Sequence, residues 1–194
     1  MACLIDAGVL IDCQSLPKGG AKNYALVYNY TEWADMVADG VSITYDADGA
    51  ITAIANPSGV AAFRFDVPDN SALQVGNPIR AIEGGFDSYD HTVNFTVSAS
   101  TQIAKNTVSK MRLNKVVCIL YKNDGLGEVY GSDQGLKLIT DNTSTTNADT
   151  GGIQPIELAT DPSGPAESNK PANIDAGTLP ATKILIDALV VAGV

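Results

Sequence analysis

Tyr89-Asp-His-Thr-Val-Asn-Phe-Thr-Val-Ser98 changes side-chain character at every residue. Val93, Phe95 and Val97 fall on one side and Thr92, Asn94, Thr96 and Ser98 on the other, the period of two imposed by a strand with one buried face. Over residues 101–114 the period lengthens. Ile103, Ala104, Thr107, Val108 and Met111 make one stripe, while Lys105, Asn106, Ser109, Lys110 and Arg112 face away. This predicts an amphipathic helix of about four turns, with Ser100 or Thr101 as N-cap and Lys110, Arg112 and Lys115 at its negative end. Val116-Val-Cys-Ile-Leu-Tyr121 is then a continuous apolar run too short for a helix, and Asn123-Asp-Gly-Leu-Gly127 turns the chain into a strand at 128–130. Strand, helix, strand, turn, strand is the organising unit, and it speaks of architecture.

Outside this unit the same signals recur. Strands are expected at 9–13 and 23–29, a helical turn or two at 31–37 with Thr31 as cap, and a hairpin of 41–45 with 51–54 around Asp46-Ala-Asp-Gly49. Asp46 and Asp48 mimic the start of a calcium loop, but the twelve-residue pattern needs a late Glu that positions 50–57 lack, so a turn is the expectation. Residues 61–67 alternate again, with Phe63, Phe65 and Val67 on one face. Residues 69–88 read as a long loop whose apolar members, Leu73, Val75, Ile79, Ile82 and Phe86, favour docking on a partner. Strands are expected again at 135–139 and 153–158. Pro162, Pro165, Pro171 and Pro180 mark 159–182 as linker or extended arm. The closing run, Lys183-Ile-Leu-Ile-Asp-Ala-Leu-Val-Val-Ala-Gly-Val194, has to be buried on this subunit or a neighbour.

The expected organisation is therefore an arm at 1–8, one β domain at 9–158 and a C-terminal extension at 159–194. A chain of 194 residues buries roughly 70% of its unfolded surface, enough for one core without staples. Acidic residues outnumber basic ones 22 to 12, a net charge of -10 that repels phosphates and argues against gripping nucleic acid. Cys3, Cys13 and Cys118 follow no metal-ligand spacing and read as buried thiols. Asp6 and Asp12 interrupt any secretory leader, and Asp187 breaks an apolar end too short to span a bilayer, so the expectation is a chain with no membrane span, made in a cytoplasm.

Chemistry is sparse. His91 is the sole imidazole, and neither a charge-relay triad nor a multi-histidine metal site is assembled from it unless carboxylates do the remaining work, so an ordinary strand residue is the expectation. Asp87, Asp90 and His91 are close in sequence, but successive strand residues point to opposite faces. Gly125-Leu-Gly127 leads into a strand instead of a helix, so no helix dipole meets a phosphate. The expectation is no enzyme, no cofactor, no metal and no catalytic residue.

Leu4-Ile-Asp-Ala-Gly-Val-Leu-Ile-Asp-Cys13, Gly19-Gly-Ala-Lys22, Asp90-His-Thr-Val-Asn-Phe-Thr-Val97 with the helix after it, and Gly131-Ser-Asp-Gln-Gly-Leu136 resemble virion structural proteins of tailed phages that infect Bacteroidetes-type bacteria. The layout is similar to tail tube proteins over residues 1–158. That resemblance implies a mainly β fold, an antiparallel β-sandwich or barrel with one flanking α-helix and extended terminal arms. It also implies hexameric rings stacked into a conduit in the virion tail, contacts with other phage tail proteins, and DNA that passes through the lumen without specific binding. On this reading Thr92, Asn94, Thr96 and Ser98 face the lumen or solvent, an ordinary solvated face being the alternative. Leu73, Val75, Ile79, Ile82, Phe86, Ile184, Leu185, Ile186, Leu189 and Val190 are the candidate inter-subunit residues. A head–tail connector or capsid accessory protein, and a carbohydrate- or receptor-binding β-sandwich module, are the competing readings.

Overall fold

Val116–Lys122, the strand β9 of a computed structural model, is buried from Val116 to Tyr121 because both its faces are covered. The structure describes residues 21–67, 74–80, 88–98, 102–141 and 153–190. Along the chain these form β1 (Ala21–Asn29), α1 (Tyr30–Ala38), β2 (Ile43–Tyr45), β3 (Ile51–Ile54), β4 (Phe63–Asp66), β5 (Gln74–Gly76), β6 (Ile79–Arg80), β7 (Ser88–Tyr89), β8 (Thr92–Ser98), α2 (Gln102–Leu113), β9, β10 (Gly127–Tyr130), β11 (Leu136–Asp141), β12 (Ile153–Thr160), β13 (Ala172–Ile174) and α3 (Leu179–Ala188). The fold is mainly β, built on one large mixed sheet.

That sheet has 11 strands, running β2-β3-β13-β10-β9-β11-β12-β8-β5, with β1 laid antiparallel on β9 and β4 on β1. Side chains alternate across β1 and β9, so two cores form. Leu26, Tyr28, Val117 and Ile119 join Trp33 and Met36 of α1 and Ile186 of α3 on one side. Ala25, Val27, Cys118 and Leu120 join Val93, Phe95, Ile156 and Leu158 on the other, together with Val108 and Met111 of α2. The strand–helix reading of 89–114 holds: Val93, Phe95 and Val97 are buried in the same cluster as Val108 and Met111 of the helix stripe.

The turns follow their residues. Asp46 accepts hydrogen bonds from the backbone N–H of Asp48 (2.9 Å) and Ala50 (2.8 Å), and Gly49 supplies the positive φ that lets β2 and β3 meet. Its carboxylate is spent on the turn. At α1 the cap is Asn29, not Thr31, and the Tyr30 N–H is satisfied by Lys115 O at 3.0 Å.

Three expectations are corrected. β13 pairs parallel with β3, so the sheet is mixed and not wholly antiparallel. Part of 69–88 is sheet: β5 extends β8, and β6 pairs with β7. Most important, residues 159–190 are not an extended arm. β12 runs on to Thr160, β13 is hydrogen-bonded between β10 and β3, and α3 buries Thr182 and Ile186. Its four prolines misdirected the reading. Pro180 sits in the first turn of α3, where a missing N–H costs nothing, behind the Thr178 cap that accepts from Ala181 N. The expected arm at 1–8 and strand at 9–13 lie outside the described residues, as do the caps Ser100 and Thr101.

Removing a side chain from the doubly covered strand leaves a void that neither layer can fill. Ile119→Ala is expected to cost about 2–5 kcal/mol in urea unfolding. Ile184→Ala, at a site 70% exposed, is expected to stay within about 0.5 kcal/mol of wild type.

Candidate assembly surfaces and a buried polar joint

Strand β8 presents the expected polar row. Thr92, Asn94 and Thr96 lie on the face opposite Val93, Phe95 and Val97, and the strand runs in register with β12, Thr92, Asn94, Thr96 and Ser98 pairing with Ala159, Glu157, Pro155 and Ile153. Thr92, Asn94 and Thr96 are half-buried, and Thr92 Oγ1 donates to Gly76 O at 3.2 Å. Glu157 also accepts from Thr140 Oγ1 at 2.8 Å. This face carries hydroxyls, an amide and a carboxylate.

The candidate inter-subunit residues divide. Val75 (47% exposed) lies open on β5, the end strand of the large sheet, Ile79 (61%) lies open on β6 of the two-stranded sheet, and Ile184 faces outward on α3. Leu185 and Val190 are half-covered by their own core. Ile186 and Leu189 are buried in this subunit and are corrected as contact residues, because the 3.6-residue period of α3 turns them onto the sheet with Thr182. Leu73, Ile82 and Phe86 lie outside the described residues.

Two exposed apolar groups escaped the sequence reading. Val41, Ile43 and Tyr45 alternate as if they shared one buried face, yet only Ile43 is buried. Val41 is 77% exposed and Tyr45 44%, because Val41 precedes the ladder and a register shift falls between Thr44 and Tyr45. Val37 of α1 is exposed too. Phe63 on β4 is 55% exposed, at the mouth of a groove of about 310 Å³ lined by Val27, Phe65, Met111 and Val116, with Lys110 at its rim.

His91 is more than an ordinary strand residue. Fully buried at the start of β8, it accepts from the Gly131 N–H at Nδ1 (3.1 Å), so the proton sits on Nε2 and is donated to Asn169 O (3.0 Å). Its backbone N–H donates to Thr160 Oγ1 at 2.9 Å, and its ring meets Tyr130 edge-on. Beside it Glu167, also buried, accepts from the N–H groups of Asp133 (2.9 Å) and Gln134 (3.0 Å), while its backbone exchanges two hydrogen bonds with Tyr89. Arg80 completes the joint. It pairs with Asp90 and donates to Gly164 O (2.9 Å) and Asp161 O (3.2 Å). No spacing in the sequence announces this arrangement, since its members come from four separate segments.

The chemistry of the joint is that of a fastener. Burial holds the imidazole below its ordinary value of 6.5 and pushes the Glu167 carboxyl up. Both ring nitrogens of His91 and both carboxylate oxygens of Glu167 face backbone partners instead of a cavity. Cys118 is likewise no nucleophile, burial having raised its thiol to about 12. Among the described residues no three His, Cys, Asp or Glu side chains are placed to hold a metal ion, and no helix is long and apolar enough to cross a membrane. The sequence matches no protein-family model, and no curated protein and no solved structure shows significant similarity to it.

Two measurements test the joint. His91 has a folded-state pKa below its unfolded value, so the unfolded chain takes up the proton first. The stability that depends on neutral His91 is fully present above pH 6.5 and lost as pH falls through it. The advantage of wild type over His91→Gln in urea unfolding is expected to shrink below that pH, and a constant difference down to about pH 5 contradicts the assignment. Gly131 has φ +76, and an added Cβ there lies 2.6 Å from Leu136 Cγ. Gly131→Ala is expected to cost about 2–4 kcal/mol through backbone strain and overpacking.

Proposed function

We propose that this chain is a self-assembling structural subunit of a phage virion, a tail-tube protein whose rings, six subunits each, stack into the conduit for DNA. One observation carries the reading. Among the described residues the sheet ends at strands with no further partner strand, β2 and β5 with β4 on its branch, and exposed apolar side chains lie on or near each: Val41 and Tyr45, Val75 and Ile79, Phe63. A sheet that stops at such edges is a template for further pairing, and a ring of copies removes the liability. The two cores on either side of β1 and β9 support reading the sheet as folded over into a sandwich, with α1 and α3 as an added outer layer.

On this proposal the product is shape, and no side chain turns over a substrate. The polar row Thr92, Asn94, Thr96 and Ser98, with Glu157 beside it, suits a wall past which DNA slides, since it holds no cation to neutralise a phosphate and its one charge is negative. The net charge of -10 acts in the same sense. The protein would work in the virion tail, after assembly in the host cytoplasm, against copies of itself and other tail proteins.

Negative-stain electron microscopy of the purified chain tests this. Hollow tubes or stacked rings of uniform width are expected. Single unstacked rings would point to a connector, and monodisperse particles at high concentration would overturn self-assembly.

A further inference from the structure

The charges of this chain are sorted by region. Residues 23–63 hold Glu32, Asp35, Asp39, Asp46 and Asp48 and no Lys or Arg. Residues 91–123 hold Lys105, Lys110, Arg112, Lys115 and Lys122 and no Asp or Glu. The fold puts α1, with Glu32 and Asp35, and α2, with Lys105, Lys110 and Arg112, on opposite sides of the β1–β9 pair, while Lys115 lies over the Tyr30 ring of α1 and Lys122 pairs with Asp124 and Glu128. Trp33 and Met36 root α1 in one core, and Val108 and Met111 root α2 in the other. Asp35, Asp46 and Asp48 are exposed on the first side, and Lys105, Lys110 and Arg112 on the second.

Each charged face also carries apolar surface. Val37, Val41 and Tyr45 stand exposed among the carboxylates. Among the cations lie the groove between β4 and α2, open at Phe63, and Leu113, which is 84% exposed. Apolar centres rimmed by opposite charges have the anatomy of two halves of one contact.

We infer that the acidic α1–β2 corner of one copy docks on the basic α2 face of the next, with Val41 and Tyr45 against the Phe63 groove. The partner is a second copy because the complementary face is on the same chain. Since the two faces differ, the contact is head-to-tail, and such contacts propagate into rings or open files instead of closing as dimers. The inference rests on the self-assembly reading and names the surface through which it operates.

The test is charge reversal followed by mixing. Asp35→Lys with Asp48→Lys makes both faces basic, and Lys110→Glu with Arg112→Glu makes both acidic. None of these four side chains has a hydrogen-bond or ion-pair partner among the described residues, so both variants are expected to fold, with Lys110→Glu/Arg112→Glu melting somewhat below wild type because it puts carboxylates at the negative end of α2, and thermal melts confirm folding before association is compared. In sedimentation velocity each variant alone is expected to associate about tenfold or more weakly than wild type, and an equimolar mixture to recover association. Raising salt from about 50 mM to about 500 mM is expected to weaken wild-type association as screening shortens the reach of the charges. Wild type that associates while both variants do so equally well overturns this interface and leaves self-assembly standing. Wild type that remains monomeric overturns both.

Discussion

Burial of β1 and β9 from both sides is the constraint on which the remainder of this molecule depends. A strand with one wet face can tolerate polar residues at alternate positions, whereas one with two dry faces needs an apolar side chain at nearly every position. Leu26, Tyr28, Val117 and Ile119 then bind the sheet to α1 and α3, while Val27, Cys118 and Leu120 bind it to β8, β12 and α2. Neither core closes without this pair. The C-terminal segment is thereby drawn into the fold, for the first core needs Ile174, Ile186 and Leu189 to cover its side of the strands.

The polar joint around His91 and Glu167 does for the long 161–171 connection what apolar packing does for the strands. A buried carboxylate is costly unless hydrogen bonds meet it, and backbone N–H groups of the 133–135 turn supply them. Neutral imidazole serves in the same place because it offers one acceptor and one donor, one for Gly131 and one for Asn169. A histidine and a glutamate that look available for chemistry are thus committed to holding β13 where the sheet can use it.

What remains uncommitted lies at the edges. The sheet does not close on itself within the described residues, and its ends bear Val41, Tyr45, Val75 and Phe63 in the open. Separate acidic and basic helices on the two sides of the central pair give the molecule a direction. The proposed role in a self-assembled virion structure draws on both features, open edges for contact and unlike faces for order.

Local periodicity decided a good deal from residues alone. The alternation of β8, the stripe of α2, the apolar run of β9 and the Asp46–Gly49 turn each depend on side chains a few positions apart, so they are legible in a single stretch of chain. The polar row on β8 was legible for the same reason. Which strands form edges, which apolar side chains stay outside, and how Arg80, His91, Gly131 and Glu167 meet were decided only by the tertiary structure. Those properties depend on what covers a residue from elsewhere in the chain. Val41 and Ile186 make the point together, one lying exposed although it belongs to the alternating hairpin stretch, the other expected as a contact for a neighbour and found in the core.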